Sequence, residues 1–570
     1  MKIIYDLETN GLVDTVSEIW IAVTKNIETN EIITFSDHDK DSKPLNELLP
    51  FLNKCEILIG HNIINYDNVV LHKLLGWQPP KSIKMIDTML LSQMNNFRRE
   101  GKHSLKNFGA ILGDAKLEFS NFYEYSKDMK TYAIQDVNLN HKVYNYVSKE
   151  ATQLIKNRPS YKQALRTEHA IAELCSEQVK NKWKFNTELA KERYNYLTSE
   201  MKIIEDEINP TLKPRKVFID KEPKKVKYLQ DGRFSAVSAR MLSQFLNTEI
   251  KQTDTDKWQP NKTFQRFNMV EADLGNMDQV RGMLLDNGWE PTQFTPKGEP
   301  KITDDSLTNV VSELGKKIIY YYSLRSRHSV LKGWIELAEL NNNRVYVEAF
   351  NIGTPTFRQR HSKIVNVPGA KSFFGSEMRE LFQSDEGKVM IGCDSSGNQI
   401  RALAHYLNNK EVNDHILKGD IHQHNADTIG IPRPLAKGVL YASVFGAGVK
   451  KLGKMVTGIE DLNKGKEVKA KLYEALPGLK ELIAKLNNFF YTTQNKTGYG
   501  YIPALDGRKV YAESSFKLLN YLLQSFEAIT VKTAVVNAFK MFKEENLEVD
   551  MLALVHDEVQ VQTQPQNVKR

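Results

Sequence analysis

Cysteine is scarce in this chain: three residues in 570, Cys55, Cys175 and Cys393, far apart and never spaced as CxxC. That rules against a disulfide framework and a cysteine-ligated zinc site, and fits a reducing cytosol. Long apolar runs are missing too. None approaches the ~20 residues that a membrane-crossing helix needs, so no membrane partner is expected. The opening Met1-Lys-Ile-Ile-Tyr-Asp6 is too short and too acidic for a secretory leader, which predicts a protein that is not secreted. Internal repeats and long low-complexity tracts are also absent. What is present is 41% hydrophobic residues, enough for two or more domains with real cores. The net charge of +8 fits a nucleic-acid partner without showing one.

Lys2–Tyr5 reads as a short strand running into Asp6. Asp6 and Glu8 are two apart, so on an extended chain they face the same way, and Asn10-Gly11 supplies a turn. Further on, the apolar strand at Leu58 gives way to a polar segment, and a helical pattern starts near Asp67. Taken alone, Asp67 is an ordinary helix N-terminal residue favoured by the dipole. Tyr132 and Asp136, at i and i+4, share one helix face. Together, Asp6, Glu8, Asp67 and Asp136 predict a cluster of four carboxylates. Such a cluster repels itself unless cations intervene. Two divalent metals would resolve the repulsion and equip the site to cleave a phosphodiester, with Tyr132 orienting the attacking water or the scissile phosphate.

Past residue 160 the pattern turns helical, with long helices expected over 167–190 and 191–208. Lys388–Asp394 reads as an apolar strand ending in a carboxylate, followed by a helix over Ile400–Tyr406. The plain alternative is an aspartate N-cap. Met551–Gln562 alternates on both sides of a tight turn, a hairpin presenting Asp557. Between them, Arg433, Lys437, Tyr441 and Phe445 recur every four residues along one helix side. Two cations followed by two aromatics suit a nucleoside triphosphate, the cations for phosphates and the rings for sugar and base. A merely solvated helix face would more often carry acidic partners as well.

The order DxE, Asp, YxxxD resembles the three motifs of DnaQ-type proofreading exonucleases, and Ile86-Asp87-Thr88 and His103-Ser-Leu resemble the phage version. Asp394 in its context, the RxxxKxxx[FY]xxx[YF]G helix and His556-Asp557-Glu558 resemble motifs A, B and C of family A DNA polymerases, closest to the short-tailed bacteriophage type. Asp420-Ile-His422, Leu505-Asp-Gly-Arg508 and Leu523-Gln524-Ser525 fall in the family order.

The resemblance implies an α/β chain, a ribonuclease-H-like 3′→5′ exonuclease (residues 1–160) followed by a right-hand polymerase. The thumb would span 161–345, the palm 346–405 and 500–570, and the fingers 406–499. It implies that Asp394 and Asp557, with Glu558 beside them, hold two Mg2+ ions, as Asp6, Glu8, Asp67 and Asp136 do in the exonuclease, Mn2+ being able to substitute. Arg433, Lys437 and His422 would bind the dNTP phosphates. Tyr441 would pack on sugar and base, and Phe445 and Gly446 would lie by the template. Arg358, Arg508, Asn520, Gln524 and His556 would contact primer–template DNA. Helicase-primase and single-strand binding protein of the phage are implied partners, and the bacterial host's cytoplasm the location.

Three departures stand out. Gln399 replaces the glutamate usual in relatives for blocking ribose. Phe445 replaces a usual tyrosine. The chain ends at Arg570, soon after Asp557, where relatives continue, which predicts impaired synthesis. Two competing readings follow: a single-subunit RNA polymerase, disfavoured by the exonuclease motifs, and a replication-associated DNA-binding exonuclease with a weakened polymerase site.

Lys213–Lys227 carries seven Lys or Arg against Asp220 and Glu222, with Tyr228, Phe234, Trp258, Phe264 and Phe267 following. The insertion spans about 206–268. The resemblance places a binding site for host thioredoxin here. The residues alone fit equally a flexible basic loop that touches DNA phosphate.

Overall fold

The computed structural model describes residues 1–212, 214–271, 273–291, 293–295, 298–302 and 312–569, and of Arg215 the backbone alone. Lys213, the first residue of the basic run, thus lies outside the described residues, as does Arg570. The chain forms two compact units, one of residues 1–186, 336–367 and 382–570, the other of 187–335 and 368–381.

The first unit opens with a five-stranded sheet of β1 (Lys2–Thr9), β2 (Ile19–Asn26), β3 (Ile32–Phe35), β4 (Ile57–Gly60) and β5 (Lys84–Asp87), ordered β3-β2-β1-β4-β5. β2 is antiparallel to β1 and β3, and β4 is parallel to β1 and β5. Strand alternation decides what β1 shows to each side. Ile3, Tyr5 and Leu7 join one apolar cluster, with Leu58, Val70 and Leu71. Ile4 joins another, with Val23, Ile59, Met129, Ala133 and Val137. The last three belong to the helix Lys127–Asn157, capped by Ser126 and packed on β1 and β2. Asp6 and Glu8 share the side of Ile4, so the alternation that buries an isoleucine early in β1 aims two carboxylates at this helix later in the strand.

The C-terminal part builds a three-stranded antiparallel sheet. Glu558–Thr563 is central, flanked by Val389–Asp394 and Val549–Val555. Ile171, Cys175, Val531, Val535, Met551 and Leu554 form the apolar layer behind it. The helix Tyr161–Asn181 contributes to that layer and also touches the helices Asp67–Leu75 and Thr88–Asn95. It therefore braces both sheets of this unit.

The two long helices expected past residue 160 are divided differently. The first stops at Asn181, Lys182 takes a φ of 52°, Trp183–Phe185 is a strand, and a new helix runs Thr187–Ile208. The strand pairs with Arg344–Val345 and Phe382–Gln383, and the rings of Trp183 and Phe185 pack on Phe382. Burial and pairing across long sequence distances override local helical periodicity here.

In the second unit, the Thr187–Ile208 helix meets the helix that starts at Glu313 through the stacked rings of Tyr194 and His328 and the hydrogen bond from Tyr321 to Glu205. The insertion is not a bare loop. Phe234, Met241, Leu242, Ile250 and Phe264 form a small core, with Phe245 and Trp258 against it. A ribbon pairing Arg215–Phe218 with Phe267–Val270 closes the base. Lys216, Lys221, Lys224, Lys225 and Lys227 are exposed. Asp220 is buried and paired with Arg266 and Lys224. Among the described residues, no helix is long and apolar enough to cross a membrane.

Candidate functional site

Carboxylate oxygens of Asp6, Glu8 and Asp136 lie within 4.8 Å of one another. No other three His, Cys, Asp or Glu side chains among the described residues converge as closely. Burial pushes Asp6 up to about 7, with Asp136 adding repulsion, and Glu8 up to about 9, with Asp6 and Asp136 adding. Three hard oxygen donors this close together suit Mg2+ or Mn2+ better than a soft metal. Asp136 Oδ1 is buried without a hydrogen-bond partner, as a ligand atom awaiting a cation would be.

The expected fourth carboxylate stands beside this group and not within it. Asp67 is buried at the first residue of its helix, and its Oδ1 accepts the Leu7 N–H at 3.1 Å. That bond holds it against the β1 backbone, although burial and the Asp6 charge still raise its pKa. Tyr132 lies one turn before Asp136, its ring against Phe119 and Phe122. Lys116, which the motif reading missed, donates to Asp136 Oδ2 and sits 4.8 Å from the centre of the Tyr132 ring. It belongs to a segment without regular structure, where no periodicity marks a functional lysine.

In the C-terminal sheet, Asp394 sits directly across from Glu558. The Ser395 N–H donates to the Asp557 carbonyl at 3.0 Å, tying this strand end to the hairpin turn. The turn residue His556 has φ 57°, a conformation that two-residue hairpins usually reserve for Gly, Asn or Asp. Its ring meets the edge of His361 at 4.9 Å. The strand expected to be apolar is open at its end, with Gly392, Cys393 and Asp394 exposed.

The helix Arg433–Val444 buries Ala436, Val439, Leu440 and Val444 and leaves Arg433 and Lys437 outside. Tyr441 stacks near Phe445 at 6.4 Å, and the His422 ring is 6.0 Å from Tyr441. Burial lowers the His422 pKa, Lys437 and Arg433 adding to this and Asp420 opposing it. Gly446 has φ 82°, and a Cβ there would lie 2.3 Å from the Phe516 carbonyl oxygen. No other residue fits. Arg433 has an acidic partner from outside its own helix face, Asp420, at 2.6 Å. The partner comes from the cap of the neighbouring helix Ile421–Ile429, which spacing along Arg433's own helix could not reveal.

Four further residues picked out by motif hold buried polar atoms without partners: Gln399 Oε1, His422 Nδ1, Asn520 Oδ1 and Arg358 Nε. Folded chains rarely leave such atoms unmet, so they fit the wall of a polar ligand site. Gln524 accepts from Thr356 at 3.4 Å, and Arg358 donates to Glu527. Arg508 is a correction. It is 1% exposed, bonded to Asp506 and Glu168, with Phe357 stacked at 4.7 Å. A guanidinium so enclosed cannot reach DNA where it stands; the buried Glu168 carboxylate has drawn it inward.

The family model of DNA polymerase family A matches residues 239–570, more than half of the chain. The DNA-directed DNA polymerase of Escherichia phage T7 is 24% identical, covering 98% of this chain and 93% of its own. That of Enterobacteria phage T3 is likewise 24% identical, covering 100% and 95%. Among solved structures, the polymerase domain of Pol1 from M. smegmatis, in complex with DNA primer-template and dNTP, superposes with a TM-score of 0.72 at 13% identity, over 99% of this chain and 89% of that one. That likeness shows the fold. The chain belongs to DNA polymerase family A. Its activity is DNA-directed DNA synthesis of the phage T7 and T3 type, which uses primer–template DNA, dNTPs and divalent metal ions.

Proposed function

We propose that this polymerase extends primers at the Asp394–Asp557 sheet and trims 3′ ends at the Asp6–Glu8–Asp136 cluster. The convergence of those three carboxylates beside Tyr132 carries the second half of the reading. Residues 1–160 form the ribonuclease-H-like exonuclease, 161–345 the thumb, 346–405 and 500–570 the palm, and 406–499 the fingers. Two Mg2+ ions per site, replaceable by Mn2+, would lower the pKa of the attacking oxygen and neutralise charge on the leaving one. In the exonuclease, Asp6, Glu8 and Asp136 would hold the ions with Asp67 beside them, and Tyr132 would orient the attacking water or the scissile phosphate. In the palm, Asp394 and Asp557 would hold them with Glu558 alongside. Arg433, Lys437 and His422 receive the triphosphate. Phe445 and Gly446 flank the template base, and Arg358, Asn520, Gln524 and His556 contact primer–template. The test is a 3′-labelled single strand and a 5′-labelled primer–template with Mg2+: release of labelled mononucleotide from the first and extension of the second are expected, and a strand left intact would remove the exonuclease.

Sugar choice falls to Tyr441 and Gln399. The tyrosine hydroxyl stands in for the 3′-OH missing from a dideoxynucleotide, and an unmet buried polar group costs about 1–3 kcal/mol. Tyr441→Phe is therefore expected to raise discrimination against ddNTPs by at least about tenfold. Competitive incorporation of dNTP and ddNTP measures it, and equal discrimination would count against this placement of the helix. Gln399 has the bulk to exclude ribose but no charge to accept from Tyr441.

The insertion's exposed lysines on a folded core support a role in holding DNA, directly or with host thioredoxin. Replacing Lys221, Lys225 and Lys227 by alanine should flatten the salt dependence of DNA binding by up to about 3 in log–log slope. An unchanged slope and unchanged product length, with and without thioredoxin, would remove both roles. Phage helicase-primase and single-strand binding protein complete the proposed replication partners, in the cytoplasm of a bacterial host.

A further inference from the structure

We infer that Lys116 is a positioning residue of the 3′-end hydrolysis site, gripping Asp136 by one carboxylate oxygen so that the other is presented to Asp6 and Glu8. The inference rests on the exonuclease reading of that cluster.

The two oxygens of Asp136 have different surroundings. Oδ2 accepts from Lys116 Nζ, while Oδ1 is buried with no partner. One Asp136 oxygen lies within 4.8 Å of oxygens from Asp6 and Glu8. A carboxylate free to rotate would exchange its oxygens and blur that geometry; a bond to one of them stops the exchange. The same ammonium lies over the Tyr132 ring, 4.8 Å from its centre, within cation–π range. Lys116 thus fixes both functional members of the Tyr132–Asp136 helix face at once.

Burial makes the arrangement consequential. The Asp136 side chain is 4% exposed and that of Lys116 21%. Lys116 is also the cation that counters the burial raising the pKa of Asp6, Glu8 and Asp136, and the repulsion that adds to it at Asp6 and Glu8. Without it, three crowded carboxylates lose their protein-borne counter-charge, and Asp136 loses its orientation. Groups that orient a metal ligand in this way typically matter about 10–100-fold for metal affinity or activity.

The test compares the full chain with Lys116→Met and Lys116→Arg. Digestion of a single-stranded oligonucleotide is followed at saturating Mg2+, with primer extension as the check on folding. For Lys116→Met, kcat for digestion should fall about 10–100-fold with little change in KM, and extension should persist. Lys116→Arg, which keeps the charge and a donor, should recover most of the loss. A second measurement needs no activity. In EDTA, Lys116→Met should lower the melting temperature of the parent by more than that of Asp136→Asn, where the carboxylate it hydrogen-bonds is gone and only its weaker attraction to Asp6 and Glu8 remains. If digestion by Lys116→Met stays within about twofold of the parent, or if both backgrounds lose the same stability, the inference is overturned. Should Lys116→Met not fold, Lys116→Gln carries the same comparisons. A parent that digests no 3′ ends removes the exonuclease reading itself. A parent that digests as well as Lys116→Met does removes the inference alone.

Discussion

Asp557→Ala is expected to abolish primer extension and leave 3′-end digestion standing, whereas the double change Asp6→Ala and Glu8→Ala should do the opposite. Asp394, Asp557 and Glu558 belong to a sheet formed by strands Val389–Asp394, Val549–Val555 and Glu558–Thr563, with Asp557 in its turn. Asp6 and Glu8 belong to β1 of a separate five-stranded sheet. Each set carries its own oxygen donors, so each would lose bound cations independently of the other. Bound metal supplies several kcal/mol of charge stabilisation in such reactions, and at about 1.4 kcal/mol per decade the loss should be about a thousandfold for the affected activity. The partner activity should stay within about twofold, since sites that share no partner side chain usually behave additively. Matched assays on one preparation of each variant measure this, using a 5′-labelled primer–template and a 3′-labelled single strand. Loss of both activities from the Asp6/Glu8 variant, with its melting temperature unchanged, would show one shared site.

The same two sheets show why some of the site was readable from sequence. Asp6 and Glu8 sit two apart on a strand, Tyr132 and Asp136 four apart on a helix, and Arg433, Lys437 and Tyr441 four apart on another. Local periodicity encodes those relations. Contacts set by tertiary packing leave no such trace. Lys116 reaches Asp136 from an irregular segment, and Asp420 reaches Arg433 from a different helix. Arg508 follows a recognisable Asp-Gly-Arg pattern, yet its burial depends on Glu168, 340 residues earlier. The break at Lys182 reflects strand pairing with residues near 344 and 382. In the insertion, charge alone leaves a bare basic loop and a partner-binding element equally open, because the core built by Phe234, Trp258 and Phe264 depends on packing that no local period marks.

Lys532→Met is expected to destabilise the first unit by about 3–5 kcal/mol, the usual result of leaving one half of a buried ion pair. Glu168 is fully buried on the helix Tyr161–Asn181, and its carboxylate accepts from Lys532 at 2.8 and 3.0 Å and from Arg508 at 2.5 Å. Lys532 also donates to the carbonyls of Asn351 and Phe357, at 2.9 Å each. Its removal therefore orphans two carbonyls as well as half of a charge pair. Burial alone would raise the Glu168 pKa, but Lys532 and Arg508 hold it below the ordinary 4.5. The sign follows from that: a carboxyl depressed in the folded state contributes its full stability above about pH 4.5 and loses it as pH falls through the folded value. The parent should thus lose more stability than Lys532→Met when pH is taken from neutral down to that range. Function should feel the change too, because Phe357, at φ 63°, directly precedes Arg358. A loosened Phe357 carbonyl shifts Arg358 away from Glu527, and primer extension should weaken through KM for DNA more than through kcat. Adding Glu168→Leu to Lys532→Met tests whether charge is the cause. With Glu168 gone, Arg508 still has Asp506 at 2.6 Å, so the double variant should be more stable than Lys532→Met alone. Urea unfolding of the parent, Lys532→Met, Glu168→Leu and the double variant decides it: if the second change adds its own cost in full, the network holds by packing, and its charges contribute nothing to the fold.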